Sequence, residues 1–286
     1  MKALVVSIAR LGFALVALVG TPGRASAQFA TLDRQDTGTE FAATFDYFFV
    51  NHDRVPGTTG FRFDLFGQLV DPGSGFGGYL QLPITHDTVD VSVPPFAIRG
   101  SATGVGDLEL GGIYVARSRR PDTRFVLHAG LTLPTNPSAN DQAYASELGG
   151  SARIADLAQV IPNGTTLRVG FSPIWHRGQL VARIDLGIDL NLAIASGRNT
   201  LPPLLKLDGG IGFANEAFSV MGELTNIFIT GDASDGGDRT LNEAGLTTRF
   251  FLGEGASLSA GIVLPLEDDT RRLDAVLQFG FSMRLR

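Results

Sequence analysis

Hydrophobic and polar residues alternate with a period of two along most of the chain beyond residue 40. The clearest stretch is Gln179 to Ala195, in which every even-numbered position is apolar, whereas the odd-numbered positions include Arg183, Asp185 and Asp189. A β-strand separates such residues onto two faces, whereas a helix would scatter the charges around its circumference. The segment from Leu273 to Leu285 repeats the pattern. The alternation therefore predicts a series of amphipathic strands.

The length of the alternating segments distinguishes two all-β architectures. Strands of soluble sandwiches run about 5–6 residues, whereas strands that cross an outer membrane need about 9–11. Most of the segments have the greater length, which predicts a transmembrane antiparallel β-barrel with apolar residues facing lipid and charged residues facing a lumen. A soluble secreted sandwich is the alternative.

The connections between the segments predict the strand count. Tight turns are expected at 71–73, 119–122, 176–178, 215–216 and 253–255, and longer connections near 52–60, 87–104, 134–163, 196–203, 230–239 and 266–272. Twelve strands follow, provided that 146–160 is not a strand. Its apolar residues have near-helical spacing, which predicts a helix in a long outer loop, with Arg153 and Asp156 exposed.

The amino terminus predicts export. Lys2 and Arg10 precede a short apolar run that ends at a small-residue site, Ala25-Ser26-Ala27. These features are typical of a secretory signal peptide, so residues 1–27 are expected to be removed after Ala27; an uncleaved anchor is the alternative. Residues 28–39 are polar and are expected to form a periplasmic lead-in to a barrel spanning 40–286.

Composition and motifs exclude several kinds of chemistry. The 286 residues carry a net charge of −6 and no cysteine, which argues against nucleic-acid binding and excludes thiol and iron–sulfur sites. The four histidines are too far apart for a local metal pair, and the chain has no G-x-S-x-G motif. The acidic stretch 232–238 is better explained as a solvated loop than as a calcium site. We therefore expect no cofactor, no metal and no enzymatic activity.

Charged residues on the polar face of the strands are the candidate functional residues. Acids and bases are mixed, unlike a selectivity ring of one sign. They could pair with one another and stiffen a narrow barrel, or line a path for a solute. The candidates are Arg62, Asp64, Asp107, Glu109, Arg124, His128, Arg168, Arg183, Asp185, Asp189, Lys206, Asp208, Glu223, Glu243, Arg249 and Arg284.

Three short strings together resemble a known family. They begin at Gly104 (GVGDLELGGIY), Leu131 (LTLPTN) and Glu223 (ELTN). They resemble the outer-membrane barrel family labelled "meta-pathway of phenol degradation", although Asn136 stands where the family's loop has glycine. The resemblance implies a barrel that imports small hydrophobic or aromatic compounds, and it supplies no catalytic residues.

The sequence as a whole predicts an outer-membrane channel for passive uptake of small solutes. Its expected partners are outer-membrane lipids, the barrel insertion machinery and a small-molecule solute. Two alternatives stay open: a structural or ligand-binding barrel with a plugged lumen, and an outer-membrane enzyme that acts on lipids.

Overall fold

The structure, a computed structural model, is nearly all β. It describes residues 31–32, 34–50, 58–93, 96–118, 120, 122–136, 145, 148–160, 164–194, 202–230, 240–253, 255–266 and 273–285. Within these ranges the strands are β1 (Thr39–Val50), β2 (Thr58–Val70), β3 (Phe76–Val93), β4 (Phe96–Val105), β5 (Leu108–Arg117), β6 (Thr123–Leu133), β7 (Gly164–Arg177), β8 (Leu180–Ile194), β9 (Leu204–Ala214), β10 (Phe218–Ile229), β11 (Thr240–Phe251), β12 (Ala256–Pro265) and β13 (Leu273–Leu285).

The strands form one antiparallel sheet that closes on itself. Phe45 of β1 lies opposite Phe63 of β2 on one side and opposite Phe279 of β13 on the other, which joins the first strand to the last. β4 and β5 run in the same direction along one edge of β3, with Gly106 and Asp107 between them. They share one position in the wall, so the barrel has twelve strand positions, as the sequence predicts.

Short turns lie at one end of the barrel, which we call the short-turn end. They connect β2 to β3, β5 to β6, β7 to β8, β9 to β10 and β11 to β12, where the tight turns are predicted. Gly75 and Gly178 have φ of +77° and +62° there, a conformation that disfavours residues with a Cβ. The opposite end is the long-connection end.

The prediction of a loop over 87–104 is wrong. Pairing between β3 and β4 continues from Ile84 opposite Val105 to Val93 opposite Phe96, so a β-hairpin extends the wall at the long-connection end. Valine alternates with polar residues over 88–93, and β-branched residues such as valine favour strands.

The outward face is apolar and the inward face is largely polar. Exposed large side chains include leucines along most strands, and several aromatic residues lie towards the short-turn end. These are Phe76, Tyr114, Trp175 and Phe250. Such aromatic residues are typical of the level at which a barrel meets the membrane–water interface.

The connection from β6 to β7 contains the predicted helical structure. A 3₁₀ helix spans Ile154–Val160, after helical residues at 148–151. The expectation that Arg153 and Asp156 are exposed is wrong, since they are 1% and 2% exposed. The segment folds back into the barrel, where both side chains find oppositely charged partners. Among the described residues, no helix is long and apolar enough to cross a membrane.

Candidate functional site: a lumen filled by two segments

The predicted lumen residues lie along the inward face of the wall. Fourteen of the sixteen are buried, and Arg124 and Arg284 are half-buried. They are shielded from solvent because two chain segments occupy the lumen. One is the plug segment, defined as residues 145 and 148–160, and the other is the amino-terminal segment, defined as residues 31–38 without residue 33. Whether the sixteen residues line a solute path stays a prediction.

The plug segment packs against two sides of the wall through apolar side chains. Leu148 and Ala152 form a buried cluster with Phe48, Val263 and neighbouring residues of β13. On the other side, Ile154 packs with Leu204 and Ile227. These contacts hold the plug segment in the half of the lumen nearer the long-connection end.

Asp156 is the electrostatic centre of the plug segment. Its carboxylate accepts hydrogen bonds from Arg153 Nε at 2.7 Å, from Gln81 Nε2 at 2.8 Å and from Arg62 Nη2 at 3.0 Å. Arg168 and Arg34 lie at 3.6 and 3.7 Å from it. Burial alone would raise the pKa of this carboxyl, but these four arginines outweigh burial and hold the pKa well below its usual range.

Charged side chains of the wall also satisfy the backbone of the plug segment. Arg168 Nη2 and Lys206 Nζ donate to the carbonyl oxygen of Ala155 at 2.7 and 3.0 Å. Arg62 Nη1 donates to the carbonyl oxygen of Gly149 at 3.0 Å. Buried carbonyl groups need such donors because no water reaches them. Several predicted lumen residues therefore bind the protein's own chain in this conformation.

The seam between β4 and β5 anchors the end of the plug segment. The backbone amide of Asp107 donates to the carbonyl oxygen of Gln159 at 2.6 Å, and Gln159 Nε2 donates to Glu109 Oε2 at 2.8 Å. The backbone amide of Asn136, where the connection leaves β6, donates to Asp107 Oδ1 at 2.8 Å. Both ends of the connection thus meet at the interruption in the wall.

The amino-terminal segment, part of the predicted lead-in, lies against inward-facing residues. Thr31 donates through its amide and its hydroxyl to Glu223 Oε2, at 2.7 and 3.0 Å. Arg34 forms an ion pair with Asp64 at 2.9 Å. The carbonyl oxygen of Leu32 accepts a hydrogen bond from Arg153. The two segments in the lumen therefore contact each other.

Other charged residues pair along the wall. Arg183 Nε lies 2.6 Å from Asp185, Lys206 Nζ lies 3.2 Å from Asp189, and Arg249 Nη2 lies 2.9 Å from Glu40. The sequence left two interpretations of these residues open, mutual pairing or the lining of a solute path. In this conformation the residues named above form ion pairs with one another. Glu40 is absent from the sequence-based candidates because it stands at the start of β1, before the alternation is established.

An apolar cluster on the inward face is the feature that the sequence reasoning missed. Phe66, Tyr79 and inward residues of β5, β6 and β7 pack together in the half of the lumen nearer the short-turn end. Ile113 and Val126 belong to it, and the short runs around them, 113–116 and 125–127, are apolar on both faces. That double-sided pattern is the signal that could have revealed an apolar lumen surface. Tyr79 joins the cluster to the polar network, since its hydroxyl donates to Glu109 at 2.7 Å.

Two other predicted features lie outside the described residues. They are the signal peptide 1–27 and the acidic stretch 232–238. Within the described part of the chain, no group of three or more His, Asp or Glu side chains could hold a metal ion.

A closed antiparallel barrel with an apolar exterior and a polar interior is the fold of outer-membrane barrels. Similar solved structures belong to that class. The COG4313 outer membrane channel from Pseudomonas putida F1 is 14% identical to this chain, with a TM-score of 0.64. The match covers 92% of this chain and 100% of that channel. The NanC porin is 9% identical to this chain, with a TM-score of 0.54, and the match covers 87% of this chain and 100% of the porin. At such identities the likeness shows the fold alone.

No protein-family model matches the chain, and no curated protein matches it. The resemblance to the phenol-degradation barrel family therefore stays a prediction.

Proposed function

We propose that this protein is an outer-membrane channel for passive uptake of small solutes and that the structure represents its closed state. In the proposed orientation the short-turn end faces the periplasm, as in bacterial barrels of this kind. Two structures of the same fold are a channel and a porin, which supports the proposal.

One observation carries the proposal: the lumen is charged and is filled by a connection between strands. Burying charges is costly, and apolar side chains of similar volume often stabilise a core as well or better. A barrel with only a structural role could therefore close its lumen with apolar side chains. Charged walls become useful when the plug segment leaves and water enters, because they then solvate a path for a solute.

Single-channel recording tests the proposal. The full chain is compared in planar bilayers and in liposome-swelling assays with a variant in which residues 148–160 are replaced by a Gly-Ser linker of equal length. We expect rare openings of the unmodified protein and steady conductance of the variant. Heat-modifiable mobility on gels shows that each barrel is folded. A folded variant without conductance or swelling would rule out the channel.

The tight packing of the lumen favours a second candidate, a structural or ligand-binding barrel with a permanent plug. It predicts that the unmodified protein never opens, whatever solute is supplied.

Solutes with hydrophobic or aromatic character are the first to test, because of the family resemblance and the apolar cluster around Phe66 and Tyr79. Removal of residues 1–27, delivery by the insertion machinery and the lack of enzymatic activity stay predictions.

A further inference from the structure

Positive charge is concentrated at the inward positions nearest the short-turn end. Among the described residues, these positions and the adjoining residues 36–38 of the amino-terminal segment carry the acids Asp36 and Glu40. They also carry five arginines, which are Arg117, Arg124, Arg183, Arg249 and Arg284. Deeper in the lumen acids predominate, so the charges that appear mixed in the sequence are separated along the barrel axis. Three of the five arginines lie within 4.0 Å of an acid: Arg183 of Asp185, Arg249 of Glu40 and Arg284 of Asp36.

Arg124 and Arg284 converge on one hydroxyl group, and Arg117 stands beside Arg124. Thr37 Oγ1 accepts hydrogen bonds from Arg124 Nη1 at 3.1 Å and from Arg284 Nη2 at 3.2 Å. Arg117 lies directly opposite Arg124 in the pairing of β5 with β6. Like charges in directly opposed positions of a sheet repel each other, which favours a negatively charged group near them.

These side chains border a groove at the short-turn end. The groove has a volume of about 200 Å³ and is lined by Thr37, Val70, Val115, Arg117, Arg124 and the turn 71–75. Val115 belongs to the apolar cluster on the inward face, and Val70 packs against that cluster. The groove therefore presents guanidinium groups beside an apolar surface.

Asp71, the acidic residue that lines the groove, accepts hydrogen bonds from within its own turn. The carboxylate of Asp71 accepts hydrogen bonds from the hydroxyl and the amide of Ser74 at 2.6 and 2.9 Å, and from the amide of Gly73 at 3.2 Å. These bonds lower the pKa of Asp71. Arg117 Nη2 donates to the carbonyl oxygen of Pro72 at 3.0 Å, which directs it over the turn.

The amino-terminal segment supplies an internal substitute for an anion. Asp36 lies 4.0 Å from Arg284. The next residue, Thr37, provides the hydroxyl oxygen that accepts hydrogen bonds from the guanidinium groups of Arg124 and Arg284. Burial raises the pKa of Asp36, but the positive charges of Arg284 and Arg183 and the hydrogen bond from the amide of Thr37 outweigh it and leave the pKa below its ordinary value. A ligand oxyanion could accept hydrogen bonds from the same guanidinium groups that now donate to Thr37 and to the carbonyl oxygen of Pro72.

We propose that the groove formed by Thr37, Val70, Val115, Arg117 and Arg124 binds an oxyanion, a carboxylate or phosphate, attached to a small apolar body. Guanidinium groups suit planar or tetrahedral oxyanions because they donate paired hydrogen bonds. The apolar body would lie on Val70 and Val115. The inference rests on the proposed function, to which it adds the chemical class of solute held at the periplasmic mouth.

Equilibrium dialysis of the refolded full chain in non-ionic detergent tests the site. Benzoate is the probe, and benzyl alcohol is its neutral counterpart of similar shape. We expect saturable binding of benzoate, weakened about fivefold by Arg117→Gln, because Arg117 is exposed and solvent screens its charge. Arg117→Lys should recover part of the affinity. Arg120→Gln removes an exposed arginine outside the groove and should leave binding unchanged.

Competition distinguishes the source of the oxyanion. Displacement of benzoate by phosphatidylglycerol but not by inorganic phosphate assigns the site to a lipid headgroup, and displacement by inorganic phosphate assigns it to a solute. Equal binding of benzyl alcohol, or an equal loss in the Arg120→Gln variant, would overturn the proposal. The measurement requires no conductance, so its failure is distinct from failure of the channel proposal.

Discussion

Asp156 is the residue on which the closed conformation depends most. It joins side chains from β2, β3 and the plug segment itself, with Arg34 of the amino-terminal segment nearby. Removing one partner of a buried charge pair costs about 3–5 kcal/mol, because the remaining charge is left buried. Here four arginines would be left around a neutral side chain.

We therefore expect Asp156→Asn to open the channel. Losing about 3 kcal/mol of plug binding corresponds to at least about a hundredfold rise in the ratio of open to closed states. Single-channel recording measures that ratio, and Asp274→Asn is the control because Asp274 is an exposed acid. Unchanged open probability in a folded Asp156→Asn barrel would show that the apolar contacts alone hold the plug.

The pKa of Asp156 also sets an expectation for pH. A carboxyl whose folded pKa is depressed stabilises the closed state fully above its ordinary pKa of 3.8, and the contribution is lost only as pH falls through the lower value. Titration of Asp156 should therefore not open the channel between pH 7.5 and pH 5. Recordings at both values check this expectation. A rise in the open probability of the unmodified protein from pH 7.5 to pH 5 that equals the rise caused by Asp156→Asn would contradict it.

Most strands were predictable from the sequence, but the hairpin of β3 and β4 and the contents of the lumen were not. Alternation from Leu180 to Ile194 fixes which face of β8 points inward, because the side-chain period of a strand is two. Nothing local shows that the connection 134–163 turns inward, since Ala-rich helical spacing suits a surface loop equally well. The exposure of Asp156 depends on partners 94 and 75 residues away in sequence, Arg62 and Gln81.

A disulfide between the plug segment and β3 tests whether the plug moves. A Cβ added at Gly149 would lie 2.9 Å from the Cβ of Thr85, near enough for a disulfide after a small adjustment. The chain has no cysteine of its own. In Gly149→Cys/Thr85→Cys we expect oxidation to abolish openings and a reductant to restore them. Each single-cysteine variant is the control and should not respond to oxidant. Openings that persist in the oxidised double variant would mean that solutes pass without displacement of this part of the plug.

The barrel combines an apolar exterior, which suits lipid, with an interior that accommodates charge. Leu246 is 52% exposed in the middle of β11, and Leu252 is 54% exposed just beyond its short-turn end. Inward-facing Arg249 lies between them in sequence and is buried against Glu40. An arginine side chain is therefore stable on the inward face of the wall, where it has an acidic partner, and is expected to be unfavourable on the outward face, where it would meet lipid.

This division predicts a depth-dependent cost for charge on the outer face. Leu246→Arg should destabilise the barrel in vesicles by about 2–4 kcal/mol, whereas Leu252→Arg should cost about 0–1 kcal/mol, because an arginine near the interface reaches water and one at the midplane does not. Denaturant titration of the refolded variants, followed by Trp175 fluorescence, measures both. The two leucines are almost equally exposed, so loss of packing contributes similarly to each. Equal destabilisation would show that Leu246 does not face the hydrocarbon layer, which would contradict a membrane-spanning barrel in this orientation.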